Sequence, residues 1–202
     1  MSKPRIFIIG IRRSGTSLLR SLILSHPKIA EIKFEPHELI YCCRTQHINR
    51  YKNSEYHKKI IDYYTQSINI YKGAKIAVNV GIEAMNWKWV NNKIPNSIFI
   101  FIKRNVIDNF KSWYELDKNS VRGVCNYKMY KSWYNLINKS FEDFRNINPK
   151  RTCLISYENL VKNADNEMLQ VWNTLGLSKI QGLNRIIRKP NNWSINEKKK
   201  TQ

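Results

Sequence analysis

Three short apolar runs without polar alternation constrain the fold of this chain more than any other feature of its sequence. They are RIFIIGI at 5–11, SIFIFIK at 97–103 and TCLISY at 152–157. A strand that is apolar at every position is buried on both faces, which is typical of a parallel sheet covered by helices on each side. Two further candidate strands are AEIKF at 30–34 and KIAVNV at 75–80.

Segments with helical patterning separate these runs, so strands are expected to alternate with helices along the chain. The candidate helices span residues 16–25, 55–69, 83–91, 106–115, 127–145 and 166–175. This order predicts an α/β fold, a three-layer doubly wound domain around a central, mainly parallel sheet. The 202 residues suit a single domain, 1–202, in which 178–202 is a C-terminal segment with a frayed end.

The chain is strongly basic. Lysine and arginine number 35 against 15 acidic residues, a formal net charge of +20. A field of this sign attracts nucleotides, nucleic acids, acidic glycans or anionic membrane surfaces. Because lysines are abundant throughout, the position of each cation says more about function than the total.

Cysteine usage and hydropathy indicate the compartment. The cysteines Cys42, Cys43, Cys125 and Cys153 form no disulfide framework for a chain of this size, and no ligand pair supports a zinc site at Cys42, Cys43 and His47. No apolar stretch approaches the roughly 20 residues that a membrane span needs. We therefore expect a cytoplasmic protein with free thiols and without a membrane span.

The first apolar run ends in a loop with the layout of a phosphate-binding turn. Gly10 and Gly15 bracket the loop, and Thr16 begins a predicted helix. Backbone N–H groups in such a loop, together with the dipole of the helix, attract phosphate or sulfate. Arg12 and Arg13 lie inside the loop and add two guanidinium groups.

This loop differs from that of a nucleoside triphosphatase. In G-x-x-x-x-G-K-[ST] a lysine reaches the terminal phosphates and the next hydroxyl binds magnesium. Here Thr16 replaces the lysine, and Arg13 supplies a cation from within the loop. Magnesium also needs an aspartate at the end of a neighbouring strand, whereas the strand at 97–103 ends in Lys103 and Arg104. The pattern predicts a polyanionic ligand bound without a metal.

A second candidate anion site follows that strand. Arg104 lies at the expected carboxyl end of the strand, where ligands bind in open α/β sheets. Ser112 follows eight residues later, two helical turns along the next predicted helix. The two side chains are therefore expected to converge on one further anionic group.

Taken together, these motifs resemble the sulfotransferases that use 3′-phosphoadenosine-5′-phosphosulfate (PAPS). The first motif of that family stands here as Arg13-Ser14-Gly15-Thr16-Ser17, the second as Arg104 with Ser112, and ISYENLV at 155–161 resembles a third. The likeness covers most of residues 5–177. Arg12 replaces the usual proline, and Asn105-Val106 the usual acid–proline pair.

The resemblance implies transfer of a sulfuryl group from PAPS to an acceptor hydroxyl, with a carbohydrate favoured, by metal-free in-line displacement. It assigns the loop residues Arg12 to Ser17 to the cofactor, with Arg13 at the bridging and sulfuryl oxygens and the N–H groups of 14–17 at the 5′-phosphate. Arg104 and Ser112 would bind the 3′-phosphate.

Candidates for the remaining catalytic roles are less sharply defined. The stretch IKFEPHEL offers Glu35 as the base that the resemblance favours and His37 as an alternative with a pKa near neutrality. The lysine that many carbohydrate-specific members carry has no counterpart here. Asn79 falls near its place, and Lys75 is the nearest cation.

Two other functions compete with this hypothesis. The first is a magnesium-dependent kinase of the same loop class. Such a kinase needs the loop lysine and the strand-end aspartate, and this chain has neither at the expected positions. A basic nucleic-acid-binding protein would account for the net charge, but it predicts cations gathered on one groove and no nucleotide loop, whereas the cations here are spread along the chain. Nucleic acid is therefore not an expected partner.

Overall fold

The structure of the protein is a computed structural model that describes residues 5–31, 75–81, 96–117 and 126–187, with 75–81 described as backbone. The elements in chain order are β1 (Arg5–Gly10), α1 (Thr16–Leu24), β2 (Ile29–Glu31), β3 (Lys75–Gly81), β4 (Ile98–Lys103), α2 (Val106–Asp117), α3 (Tyr127–Ile147), a 3-10 turn (Pro149–Arg151), β5 (Thr152–Ser156), α4 (Tyr157–Lys162), α5 (Ala164–Glu167), α6 (Leu169–Leu175) and α7 (Asn184–Ile187).

The described strands form one parallel sheet in the order β2-β3-β1-β4-β5. Gly10 at the end of β1 is level with Gly81 of β3 on one side and with Ile102 of β4 on the other. The carboxyl ends of these three strands therefore lie at the same edge of the sheet. The α/β fold class and the parallel sheet predicted from the apolar runs are confirmed.

Alternate residues of the strands pack against helices on opposite faces of the sheet. Ile6, Ile8 and Ile100 belong to an aliphatic core shared with α1 and with α4–α6. On the other face Phe99 and Phe101 contact Phe144 and Phe141 of α3, with ring centroids 5.1 and 4.3 Å apart. Burial on both faces explains why these strands lack polar alternation.

The connections place a crevice between β1 and β4. From β1 the chain winds to one side of the sheet through β2 and β3, then crosses over to β4 and β5 on the other side. Ligands of open α/β sheets bind outside the carboxyl ends of the strands where the winding reverses in this way. The loop after β1 and the junction between β4 and α2 flank this crevice.

Most of the predicted elements are found within one to three residues of their expected ends. The exception is the helix predicted over 166–175, which is divided into α5 and α6 at Met168, and α4 was not predicted at all. α4 is a short helix begun by Ser156, whose side chain accepts a hydrogen bond from the N–H of Asn159. The helices predicted at 55–69 and 83–91 lie outside the described residues.

Among the described residues, no helix combines the length and the apolar character required to cross a bilayer.

Candidate active site

The loop after β1 presents the beginning of a helix to the crevice. Gly15 adopts φ 95° and is the N-cap of α1, and no side chain caps this end of the helix. The first N–H groups of a helix have no partner within it and carry its positive dipole. Those of Thr16 and Ser17 are therefore placed to bind an anion, as the sequence motif predicts.

Arg13 has a backbone conformation that is uncommon for a residue with a side chain. Its φ is 75°, in the left-handed region, which costs an L-residue roughly 1–2 kcal/mol. The next residue turns inward. Ser14 is 1 % exposed, and its N–H donates to the carbonyl of Ile11 at 2.8 Å. Ser14 thus shapes the turn, while the guanidinium of Arg13 lies at the surface.

The two anion sites expected from the sequence are brought together at Arg13. Its Nε donates to Oγ of Ser112 at 3.1 Å, and Nη1 of Arg104 donates to the carbonyl of Arg13 at 3.0 Å. The loop, the end of β4 and the middle of α2 therefore meet at one point. Two guanidinium groups, a hydroxyl and the open end of α1 surround it, which is a strongly anion-attracting arrangement.

The two cations at the end of β4 have separate roles. Lys103 lies 3.8 Å from the carboxylate of Glu142 on α3, in a half-exposed ion pair. Of the two cations, only Arg104 turns toward the loop. The nearby acid Glu158 accepts from the N–H of Asn105 at 2.8 Å and from the hydroxyl of Ser156 at 3.1 Å, so it joins the ends of β4 and β5.

Tyr157 at the start of α4 supports both the loop and Arg104. The guanidinium carbon of Arg104 lies 4.6 Å from the centre of the Tyr157 ring, in cation–π contact. A Cβ added at Gly15 would come within 2.5 Å of the same ring. The close approach explains why the second glycine of the loop is needed. This tyrosine had no expected role, although it stands immediately before the ENLV segment of the third motif.

A buried asparagine that the motifs do not include also contacts the loop. Asn109 of α2 is 0 % exposed. In the amide orientation that gives each polar atom a partner, its oxygen accepts from Ser14 Oγ at 2.8 Å and Ser14 N–H at 3.2 Å. Its NH2 group then donates to the carbonyl of Arg12 at 3.1 Å and to the phenol oxygen of Tyr130. Its only sequence signal was a polar residue on the inner face of a predicted helix.

Aromatic side chains of α2 and α3 surround the phenol that contacts Asn109. The ring of Tyr130 packs against Phe110 at 5.1 Å and is stacked on Trp113 at 5.5 Å between centroids. Tyr134 lies beyond it at 6.2 Å. Trp113 and Tyr134 are thus used in packing between the helices.

Tyr134 completes the support of Arg104. Its hydroxyl donates to the carbonyl of Arg104, and the side chain is 4 % exposed. Burial, and to a lesser extent the negative charge of Glu158, raises the pKa of Tyr134 to about 12, in spite of an opposing hydrogen bond from Asn138. The phenol therefore stays protonated and remains a donor over the whole physiological range.

The structure does not bring every candidate to this site. Strand β3 begins at Lys75, level with Ile29 of β2, and ends beside the loop at Gly81. The two ends are six residue steps apart, or about 20 Å. Lys75 therefore lies at the opposite edge of the sheet from the loop, and Asn79 is closer. Glu35 and His37 lie outside the described residues.

In the parts of the chain that the structure describes, no group of three or more His, Cys, Asp or Glu residues is placed to hold a metal ion. The cysteine and histidine residues at 42, 43 and 47 lie outside those parts.

Comparisons with known proteins agree with this geometry. The chain matches the model of a sulfotransferase family over residues 63–181. No curated protein sequence matches it. A sulfotransferase from Alicyclobacillus acidocaldarius is similar in structure, with a TM-score of 0.64 at 15% identity, covering 88% of this chain and 83% of that one.

Two further solved structures share the fold. The sulfotransferase domain from the curacin biosynthetic pathway has a TM-score of 0.65 at 18% identity, covering 90% of this chain and 76% of its own. Mouse sulfotransferase SULT7A1, solved in complex with PAP, has a TM-score of 0.58 at 18% identity, covering 100% of this chain and 67% of its own. Because the family match spans more than half of its residues, the chain belongs to the sulfotransferase family and is an enzyme of that family.

Proposed function

We propose that this enzyme transfers a sulfuryl group from PAPS to the hydroxyl of an acceptor, with a carbohydrate as the favoured acceptor class, and that it does so without a metal. The observation that carries the proposal is the meeting of Arg13, Arg104 and Ser112 at the open N-terminus of α1. Such a cluster of guanidinium groups and helix N–H groups suits a ligand that carries several negative charges. The mouse relative that was solved with PAP supports a bisphosphorylated nucleotide.

In this proposal the 5′-phosphosulfate lies in the loop and the 3′-phosphate lies between β4 and α2. The N–H groups of Gly15, Thr16 and Ser17 bind the 5′-phosphate. The N–H of Ser14 is excluded, because it already donates to Ile11. Arg104 and Ser112 bind the 3′-phosphate, and the exposed guanidinium of Arg12 adds to the positive potential of the loop.

The transfer step requires charge stabilisation on the leaving group and a base for the acceptor. The acceptor oxygen forms a bond to sulfur, the bond from sulfur to the bridging oxygen of PAPS breaks, and PAP leaves with the electron pair. Arg13 stabilises the charge that develops on the bridging and sulfuryl oxygens. Glu35 takes the proton of the acceptor hydroxyl, with His37 as the alternative base.

Nucleotide binding by isothermal titration calorimetry in EDTA tests the cofactor assignment. We expect PAP to bind more tightly than ADP, which lacks the 3′-phosphate, and Arg104→Ala to remove most of that preference. Loss of a charge-assisted contact of this kind typically costs about 1.5–3 kcal/mol, or roughly 10- to 150-fold in affinity. Equal losses for PAP and ADP would contradict the role given to Arg104.

The same titrations separate the competing functions. A kinase would need magnesium and would prefer ATP over PAP, and a nucleic-acid-binding protein would show no preference for the 3′-phosphate. The proposal excludes both outcomes.

Turnover with radiolabelled PAPS against panels of glycans, lipids and phenols tests the acceptor class. Once an acceptor is found, Glu35→Gln should lower turnover while leaving the affinity for PAP near that of the wild type. If turnover is unchanged, the base is not Glu35, and His37→Gln is the next variant to measure.

We also propose a location for the protein and a domain organisation. We place the protein in a reducing compartment, the cytoplasm. Two of its four cysteines are adjacent and the other two lie far apart, which is not the pattern of a disulfide framework. We also treat residues 1–202 as one domain, because the site combines side chains from β1, β4 and α2 and no linker composition interrupts the sequence. Limited proteolysis that yields two stable fragments would show that the chain is not a single domain.

A further inference from the structure

We infer that Asn109 is a positioning residue for the anion-binding loop: its side-chain amide holds the backbone on both sides of Arg13 in the left-handed conformation that the site requires. The inference deepens the proposed function and rests on it for its ligand measurements. It is independent of that function for its stability measurement.

The contacts of Asn109 bracket a single residue. Its amide donates to the carbonyl of Arg12 at 3.1 Å and accepts from the N–H of Ser14 at 3.2 Å. These two groups belong to the peptide units that flank Arg13, the residue with φ 75°. A side chain that pairs with both units fixes the turn between them, in the way that a neighbouring strand fixes a backbone.

Arg104 completes this grip on the loop. It donates to the carbonyl of Arg13 at 3.0 Å, so consecutive carbonyls at residues 12 and 13 are both held from the segment that follows β4. The guanidinium of Arg13 is then directed to Ser112. Asn109 touches no group that we assign to the ligand, and its effect on binding passes through Arg13.

The orientation of Asn109 is itself fixed. Tyr130 accepts from its amide and is held by the rings of Phe110 and Trp113. The Asn109 side chain is fully buried, so water does not compete for its donors and acceptors. A rigid, fully paired amide of this kind is suited to hold a strained turn, since strain persists only where the surroundings determine it.

Two variants and a matched control test the inference. Asn109→Leu keeps the buried volume and removes every hydrogen bond to the loop. Asn109→Asp keeps the acceptor for Ser14 but has no donor for Arg12. The control is Thr152→Val, which also removes one buried hydrogen bond, from Thr152 Oγ1 to the carbonyl of Asn148 at 2.9 Å. Thr152 starts β5 at the opposite edge of the sheet.

The first measurement is nucleotide affinity. We expect Asn109→Leu to weaken PAP and 5′-AMP, which place a phosphate in the loop, by about tenfold or more, and to affect 3′-AMP much less. Asn109→Asp should show the same selective loss, and Thr152→Val should change none of the three. Equal losses for all three nucleotides, or unchanged affinities, would overturn the inference.

The second measurement is thermal stability in a double-mutant cycle with Arg13→Gly, without nucleotide. Glycine adopts a positive φ without strain. In the arginine background, loss of the clamp lets the turn relax and recover part of its strain, whereas a glycine turn has no strain to recover. We therefore expect the fall in Tm caused by Asn109→Leu to be larger in the Arg13→Gly background, while the fall caused by Thr152→Val stays the same.

The two proposals fail in different ways. If the wild type does not bind PAP, the proposed function is wrong, and the cycle alone decides the role of Asn109. Additive Tm changes in the cycle would overturn that role whatever the nucleotide measurements give.

Discussion

Gly15 combines two requirements at one position. Its φ of 95° disfavours any side chain, and a Cβ there would also come within 2.5 Å of the Tyr157 ring. Gly182 offers a comparison, because its φ is 83° and a Cβ there meets nothing within 4 Å. Substitutions at the two glycines therefore distinguish the cost of backbone strain, present at both, from the steric conflict with Tyr157, present only at Gly15.

We predict that Gly15→Ala destabilises the protein more than Gly182→Ala and that only the former abolishes PAP binding. Gly182→Ala should cost about 1 kcal/mol from strain alone. Gly15→Ala must in addition displace Tyr157, which supports Arg104. Urea denaturation and calorimetry measure the two effects. Equal free energies of unfolding for both variants would show that Tyr157 moves aside without cost.

Cys153 predicts how stability depends on alkaline pH. Burial raises the pKa of this thiol from 9.0 to about 12, with smaller opposing contributions from Thr174 and Arg145. Above pH 9 the unfolded chain loses this proton more readily than the folded one, so the free energy of unfolding falls as pH rises from 9 toward about 12.

Cys153→Ala should therefore reduce this alkaline loss of stability. The slope should not vanish, because Tyr134, with its pKa raised to about 12, contributes in the same direction. Urea denaturation at pH values from about 8 to about 10.5, the range in which thiols and phenols of an unfolded chain titrate, measures the two slopes. Identical slopes for the variant and the wild type would show that the thiol does not titrate differently on folding.

At this scale the sequence predicted the residues that meet at the crevice but not the residues that support them. Arg13, Arg104 and Ser112 were identified because each stands at a fixed distance from a glycine or a strand end. Asn109 contacts Ser14, which is 95 residues away in the sequence. The ring of Tyr157 lies beside Gly15. No local spacing of residues in the sequence indicates either contact. Supports of this kind depend on how distant segments pack, and only the three-dimensional structure supplies that.

Among the elements, α3 has the largest structural role around the site. It carries Tyr130 and Tyr134 toward the loop and Phe141 and Phe144 against the sheet. Its first turn is begun by Asn126, whose side chain accepts from the N–H of Met129 at 2.9 Å. Tyr130 follows directly after this turn, so the cap lies close to the support of Asn109.

We predict that Asn126→Ala lowers the free energy of unfolding by about 1 kcal/mol, through loss of the N-cap. Lys128→Ala is the control, since Lys128 is exposed in the same turn and alanine is the better helix former. Thermal and urea denaturation measure both. A Lys128→Ala variant as unstable as Asn126→Ala would indicate that the loss comes from the surface of the turn rather than from the cap.

Element boundaries followed from the sequence where apolar patterning was simple. The strands at 5–11, 97–103 and 152–157 were found because residues buried on both faces leave a continuous apolar run. The helix expected over 166–175 is divided at Met168, and its first part, α5, begins earlier than expected because Asn163 caps it and accepts from the N–H of Asn166. Asparagine occurs both at helix caps and inside helices, so its role as a cap is difficult to identify from the sequence alone.

For the whole molecule, the net charge of +20 attracts anionic ligands in general but does not select one of them. A long-range field draws any polyanion to the protein, but it is screened over a Debye length of about 10 Å at 0.1 M salt. In the function that we propose, recognition of the 3′-phosphate depends instead on the placement of Arg104 and Ser112 beside Arg13. The two contributions respond differently to ionic strength.

We predict that raising NaCl from about 0.05 M to about 0.5 M abolishes binding of a random DNA duplex, since such binding is dominated by counterion release. Affinity for PAP should also fall, yet its ratio to the affinity for ADP should persist. Fluorescence anisotropy and calorimetry follow the two ligands. A PAP-to-ADP ratio that collapses with salt would mean that the preference reflects charge alone.

The overall architecture was predictable in class but not in strand order. Alternating strands and helices indicated a parallel sheet with two covered faces, which the structure confirms. That β1 lies between β3 and β4 follows from the crossover after β3, and nothing in the local sequence specifies it. The crevice between β1 and β4 is a consequence of this order.

The separation of the site's segments along the chain has a consequence for the time course of folding. The contacts of the site join residues 99, 91 and 95 positions apart, because β1 and β4 are neighbours in space and distant in sequence. Contacts of such high sequence separation form late, after the entropy of closing a long loop has been overcome. During synthesis the loop leaves the ribosome long before its partners, so nucleotide binding should begin only once the segment through α3 has emerged.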